Sequence, residues 1–317
     1  MDGFLTELGK RLADRWLTLL VLPGALYLAV LVAAVTLGHT HPFDIGRLAT
    51  QITTWATSSR RGFGGQVVLI MATLAGAAAA GLLTQSLGSV VERLWLAADW
   101  QTWPPAARHL AHWRVLRRRR RWNAAVSAYH QHRERAARAR TQGQHADPAP
   151  RHTAWRRMTR IASEQPARPT WCGDRIHAVA VRVDRDLHLE LTVVWPYLWL
   201  TMPDTTRAEI TTARQALTRA TVLSAWTVPY LVLAAWWWPA APLAACIAIA
   251  GLARTRTATD TYALLLEAAT RLHTRDLAKK LGVEMSGAIT PEAADGVTRL
   301  LHSRIPPLTE PPNIRSR

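Results

Sequence analysis

Three long stretches carry no charged side chain at all: Leu17–Leu37, Gln66–Val91 and Ala220–Ala253. Burying each against water-soluble structure would require a large apolar partner, whereas about 20 such residues cross a ~30 Å hydrocarbon layer as one helix. The mean hydropathy of −0.02 is therefore an average over two kinds of sequence, lipid-like runs and arginine-dense remainder. Among 39 basic residues only Lys10, Lys279 and Lys280 are lysine, and the formal net charge is +17. With two cysteines, Cys172 in a polar stretch and Cys246 in an apolar one, a disulfide framework is excluded.

The first run reads as an uncleaved membrane helix, too long for the apolar core of a signal peptide. Before it, Phe4, Leu5, Leu8, Leu12 and Trp16 recur at helical spacing, so residues 1–16 read as an amphipathic interfacial helix. Residues 17–91 then form a first membrane pair. In its second member, Gly76-Ala77-Ala78-Ala79-Ala80-Gly81 offers a small-residue face. That face suits packing on the chain's own spans, or alternatively a homo-oligomer seam. The third run is too long for one span. Trp236-Trp237-Trp238-Pro239 and Pro242 mark a break, giving a hairpin of Ala220–Trp237 and Pro242–Ala253. One long span with a re-entrant piece is the rival.

Arginine placement orients these spans. Residues 92–219 hold 23 arginines against 11 acidic residues, and the segment after Ala253 has ten basic residues. Only Arg47, Arg60 and Arg61 fall on the other side of a four-span topology. The positive-inside rule then predicts a multi-pass protein of the bacterial inner membrane with both termini cytoplasmic. The fold class expected is mainly α: a polytopic helical membrane protein of about four spans with a basic cytoplasmic insert.

Within the insert, Pro104-Pro105 starts a helix that carries Arg114 and Arg117, Arg118, Arg119, Arg120 and Arg121. A cationic helix close behind a span suits anionic lipid, at about 1 kcal/mol per cation. A solvated charge run and nucleic-acid binding are the competing readings; no recognition motif supports the latter. Thr141–Thr153 reads as a linker. His109 and His112, and His130 and His132, lack the further ligands that a metal site requires.

Valines 179, 181 and 183 and leucines 187, 189 and 191 alternate around Asp184-Arg185-Asp186, which makes residues 179–193 a β-hairpin candidate with a helix as its rival. Pro169-Thr170, Gly173-Asp174-Arg175, Trp195-Pro196-Tyr197-Leu198-Trp199 and Leu200-Thr201-Met202-Pro203-Asp204 follow in order. This series resembles an uncharacterised family of bacterial, mainly actinobacterial, integral membrane proteins, in which Pro-Thr precedes Gly-Asn or Gly-Asp, Trp-Pro-x-Leu-Trp and Leu-Pro-Asp. The resemblance implies helices here, leading into paired spans, and carries no activity, cofactor or catalytic residue. Tyr197 stands where that pattern holds arginine.

Asp204, with Thr205, Thr206 and Glu209 following, reads as an N-cap for a helix running into the third run. After that run, Leu264, Leu265, Leu272 and Leu281 mark an amphipathic helix over residues 259–281, with Arg271, Arg275, Lys279 and Lys280 on its polar side and Gly282 as terminator. Pro306-Pro307 and Pro311-Pro312 break regular structure beyond it, and a mobile end is expected there.

No phosphate-cradling glycine motif, nucleophile elbow or paired-cysteine pattern occurs. The function expected is a non-catalytic membrane anchor or adaptor. It would contact anionic lipid through Arg114 and Arg117–Arg121, and an unknown protein partner through Trp195, Pro196, Tyr197 and Trp199. No catalytic residue, metal ligand or cofactor is assigned. The alternative is a membrane enzyme with a polar site of Asp174, His177 and Asp204.

Overall fold

The computed structural model describes residues 21–58, 63–145, 147–283 and 291–301. The expected helix over residues 1–16 and the proline pairs near the C-terminus lie outside them. The described residues form helices with no strand among them. In chain order these are α1 (Leu22–Leu37), α2 (Ile45–Ser58), α3 (Phe63–Leu96), α4 (Pro105–Thr141), α5 (Ala149–Ile161) and α6 (Trp171–Leu187). Then follow α7 (Leu191–Thr201), α8 (Asp204–Ala225), α9 (Thr227–Ala234), α10 (Ala240–Lys280) and α11 (Pro291–Leu301). Two segments are long and apolar enough to cross a membrane, Ile70–Leu96 and Asp204–Ala234. The described residues divide into two compact units, one built from those up to Leu94 plus Ala216–Arg256, the other from those of Trp95–Gln215 plus those from Thr257 onward.

In the first unit the small-residue face of α3 packs on α1. A Cβ added to Gly24 would stand 2.0 Å from the Ala77 carbonyl oxygen, so two helix backbones touch there. Contact of that face with the chain's own helix is thus formed at Gly24 and Ala77. Tyr27 meets Trp226 and Tyr230 at ring-centroid distances of 5.9 and 5.4 Å. The Trp236–Pro239 break separates α9 from α10, and it also anchors the segment between α1 and α2. The Trp237 indole N–H donates to the Pro42 carbonyl at 3.1 Å, and Phe43 lies edge-on to Trp238. A second interruption, between α8 and α9 at Trp226, follows from Pro229, which has no N–H to offer the Ala225 carbonyl.

The second unit buries an apolar core of Val179 and Val183 from α6, Val194 and Leu198 from α7, Leu266 and Leu277 from α10, and Val297 and Leu301 from α11. The hairpin candidate at 179–193 is overturned. Thr170 caps α6 by accepting the Gly173 N–H at 3.1 Å, and Val179, Val183 and Ile176 then share one helical face. The polar triplet at 184–186 is the last turn of that helix, which His188 closes in a left-handed conformation (φ 53°). On α10 the expected apolar face is also corrected. Leu265 and Leu281 pack against the core as expected, but Leu264 and Leu272 are exposed, while Ala263, Leu266, Ala269, Thr270, Thr274, Leu277 and Ala278 are buried. Two of these threonines satisfy their hydroxyls on carbonyls one turn back: Thr270 on Leu266 at 2.8 Å and Thr274 on Thr270 at 2.5 Å. Gly282, φ 74°, follows the end of α10, and the Val283 N–H bonds the Ala278 carbonyl at 3.0 Å.

An ion-pair ladder sets the register of α6 on α10. Arg175 pairs with Asp260, Arg182 with Glu267 at 2.6 Å, and Asp186 with Arg271 at 2.6 Å, each pair 85 residues apart. A constant separation means the two helices run parallel. The polarity of the third rung is reversed. A slip of one turn either way would therefore set Arg182 against Arg271, or Asp186 against Glu267.

Candidate functional site

The α5–α6 connection, residues 162–170, is held almost entirely by side chains reaching its carbonyls and amides. Arg118 on α4 donates to Ile161 O at 2.9 Å, Trp122 Nε1 to Ala162 O at 3.1 Å, Arg119 Nε to Pro166 O at 2.7 Å, and Trp100 Nε1 to Ala167 O at 3.2 Å. From the connection itself, Arg168 donates to Ala97 O at 2.9 Å and the Thr170 hydroxyl to Trp95 O. Gly173 is needed at this approach, since a Cβ there would lie 2.3 Å from Leu96 O.

Asp174 stands at the centre with 4% exposure. Its Oδ2 accepts Arg118 Nε and Nη2 at 3.2 and 2.7 Å, and its Oδ1 accepts the backbone N–H groups of Ala167 and Arg168 at 2.9 and 2.7 Å. Burial alone pushes this carboxyl upward, and the guanidinium and the two amides oppose that push. Four donors around one carboxylate leave little capacity for a substrate. The geometry is that of a structural tie between α4, α6 and the connection.

His177 lies one turn further along α6, beside a cavity of about 260 Å³ lined also by Asp99, Trp100, Gln101, Thr102 and Arg168. Burial, reinforced by the Arg168 charge and opposed by Asp174, holds its imidazole below the ordinary value. A histidine depressed on folding contributes stability that is complete above its unfolded pKa, about 6.5. That contribution is lost as pH falls through the window beneath it. His177→Gln is therefore expected to flatten the fall in melting temperature between pH 7.5 and 5.5. An unchanged slope would show that His177 is not the titrating group.

Asp204 does not join these two. It is exposed on the first turn of α8, where its carboxylate pairs with Arg207. The three residues of the expected polar site thus sit in different surroundings, and a joint catalytic arrangement of them is not formed.

The arginine run on α4 also divides. Arg118 is turned inward to Asp174 and is not available to a lipid surface, which corrects one member of the expected set. Arg114, Arg117, Arg119, Arg120 and Arg121 are exposed, although Arg119 spends its Nε on Pro166. Arg117 lies over the exposed Trp113 ring, 5.3 Å from its centroid. Leu110 is exposed on the same helix.

The third feature is an open apolar groove of about 590 Å³. Its lining comprises Trp195, Pro196, Trp199 and Leu200 of α7, Ile210, Thr211 and Arg214 of α8, and Tyr262 of α10. Three of the four expected partner-surface residues are therefore in one groove; Tyr197 is exposed but lies outside the lining. Trp195 and Trp199 sit one helical turn apart, with ring centroids separated by 6.1 Å, and the Arg214 guanidinium lies 5.9 Å from the Tyr262 centroid. Sequence reading found the tryptophans by their clustering. It missed Ile210, Arg214 and Tyr262, which come from distant helices and have no local signature. Among the described residues no group of three or more His, Cys, Asp or Glu side chains could hold a metal ion. No protein-family model, curated protein or solved structure matches this chain.

Proposed function

We propose that the chain is a four-span protein of a bacterial inner membrane, with both termini cytoplasmic, acting as a non-catalytic anchor or adaptor. Its basic module contacts anionic lipid through α4 and a protein partner through the α7 groove. The observation that carries this reading is the outward row Leu110, Trp113, Arg114, Arg117, Arg120 and Arg121 on α4, a helix separated from the end of the apolar α3 by eight residues. Tryptophan and arginine together suit the headgroup layer, and each cation adds about 1 kcal/mol there. The lipid-like runs support the reading as well. Leu22, Val35, Val68, Leu83 and Ile249 stay exposed, as side chains facing hydrocarbon would be. The likeness to the actinobacterial membrane family points the same way.

The full-length protein, reconstituted in nanodiscs and carrying a photo-crosslinking side chain in place of Leu110, tests it. Crosslinking to lipid is expected to rise several-fold when phosphatidylglycerol replaces part of the phosphatidylcholine. It should fall back when Arg114, Arg117, Arg120 and Arg121 are changed together to Gln. Equal yield in both lipids would remove the lipid contact from the reading.

A further inference from the structure

The cavity beside His177 lies just past the end of a membrane-long helix. The apolar segment Ile70–Leu96 is followed at once by Ala97, whose backbone turns left-handed (φ 42°), and then by the short helical turn Trp100–Thr102. Asp99, Trp100, Gln101 and Thr102 line the cavity from this stretch, and Arg168 and His177 line it from beyond the α5–α6 connection. All six belong to the second compact unit. At about 260 Å³ the space is smaller than a drug-sized pocket and suits a compact polar group.

Its lining carries charge of both signs. Arg168 gives its backbone N–H to Asp174 and its Nη1 to the Ala97 carbonyl. Among the described residues, its Nε and Nη2 and the His177 ring have no hydrogen-bond partner. The Asp174 carboxylate is already held by Arg118 at 2.7 Å. Burial pushes the Arg168 guanidinium below its ordinary value, against the pull of the Asp174 and Asp99 charges. A half-buried cation of this kind gains from an incoming anion. Asp99 adds a carboxylate to the same lining. Donors together with one carboxylate fit a zwitterion. A phosphodiester, with one negative charge, suits Arg168 and His177, whereas Asp99 would repel a dianionic monoester more strongly. A primary ammonium can donate to Asp99. A trimethylammonium cannot, and the single indole of Trp100 does not make the aromatic cage that recognises one.

We propose that this cavity binds a phosphodiester carrying a primary ammonium group, the chemistry of an ethanolamine phospholipid headgroup. Arg168 and His177 hold the phosphate, and Asp99 accepts from the ammonium. Trp100, four residues after the apolar segment ends, suits the headgroup layer. This rests on reading Ile70–Leu96 as a span and adds the lipid class it selects. The test is native mass spectrometry of the full-length protein in detergent, titrated with phosphatidylethanolamine, phosphatidylcholine and soluble glycerophosphoethanolamine. One phosphatidylethanolamine is expected to bind about ten-fold more tightly than phosphatidylcholine, the lower end of what a hydrogen bond between charged groups contributes. Asp99→Asn, at an exposed position where folding is not at stake, should bring the two lipids level. Arg168→Gln should lose both. Soluble glycerophosphoethanolamine that displaces the lipid assigns the cavity to the headgroup alone; failure to displace it assigns the cavity to the whole lipid. Equal binding of the two lipids to the wild type overturns the proposal, and so does a preference that survives Asp99→Asn. If neither lipid binds while Leu110 still crosslinks to anionic lipid, the cavity falls and the membrane reading stands. If Leu110 fails to crosslink while glycerophosphoethanolamine binds and requires Asp99, the cavity stands and the lipid contact of α4 falls.

Discussion

Asp174→Ala is expected to cost about 3–5 kcal/mol, the range found when one partner of a buried ion pair is removed. The substitution strands three donors at once: the Arg118 guanidinium and the amides of Ala167 and Arg168. Arg118→Ala should cost less, because Asp174 keeps both backbone donors and only one side of the carboxylate is exposed to loss. Thermal unfolding of the purified full-length variants would give this order. Were the two equally damaging, or Asp174→Ala silent, the carboxylate would not be organising the connection. The sequence shows why this tie was hard to foresee. Asp174 stands out beside Pro169-Thr170 and Gly173, but its partner belongs to a run of five arginines that are identical by composition. Which of them turns inward depends on the rotation of α4 against α5, and that is set by tertiary packing around Ala125, Ala154 and Met158.

Gly24→Leu is expected to separate α1 from α3. Its Cβ alone would sit 2.0 Å from a backbone oxygen, where no side-chain rotation can relieve the overlap. Overpacking costs about 1–3 kcal/mol, and a backbone obstacle places this change at the upper end. The same enlargement on the exposed face of the helix, Val35→Leu, should leave stability unchanged. Resistance to denaturing detergent, followed by circular dichroism, distinguishes the two. A Gly24→Leu protein as stable as Val35→Leu would remove the Gly24–Ala77 crossing from the account.

What could be read in advance follows from how local each signal is. The Pro104-Pro105 helix start, the Trp236–Pro239 break and Gly282 act over a few residues, and helices begin or end at them, whereas the apolar runs do not mark helix ends: α8 starts at Asp204, and α10 continues through Ala253 to Lys280. The valine alternation at 179–183 misled because strand and helix both place Val179 and Val183 on one side. Thr170, whose cap favours the helix, lies nine residues upstream. Leu264 and Leu272 misled for a different reason. On α10 the buried face runs through Ala263, Leu266, Thr270, Thr274 and Leu277, and Leu264 and Leu272 fall on the other side of it. The α6–α10 ladder repeats at 175, 182 and 186 against 260, 267 and 271. It was invisible without knowing that the two helices meet. Of the groove, the tryptophan cluster was legible and the walls contributed by α8 and α10 were not.

The central claim is that the arginine-rich insert faces the cytoplasm, held there by membrane helices on either side. Paired reporter fusions decide it most directly. Alkaline phosphatase, active only outside the cytoplasm, and green fluorescent protein, fluorescent when folded within it, would each be joined after Thr40 and after Gln142. The account predicts phosphatase activity without fluorescence at Thr40, and fluorescence without phosphatase activity at Gln142. Phosphatase activity at Gln142 would place the insert on the opposite face and contradict it.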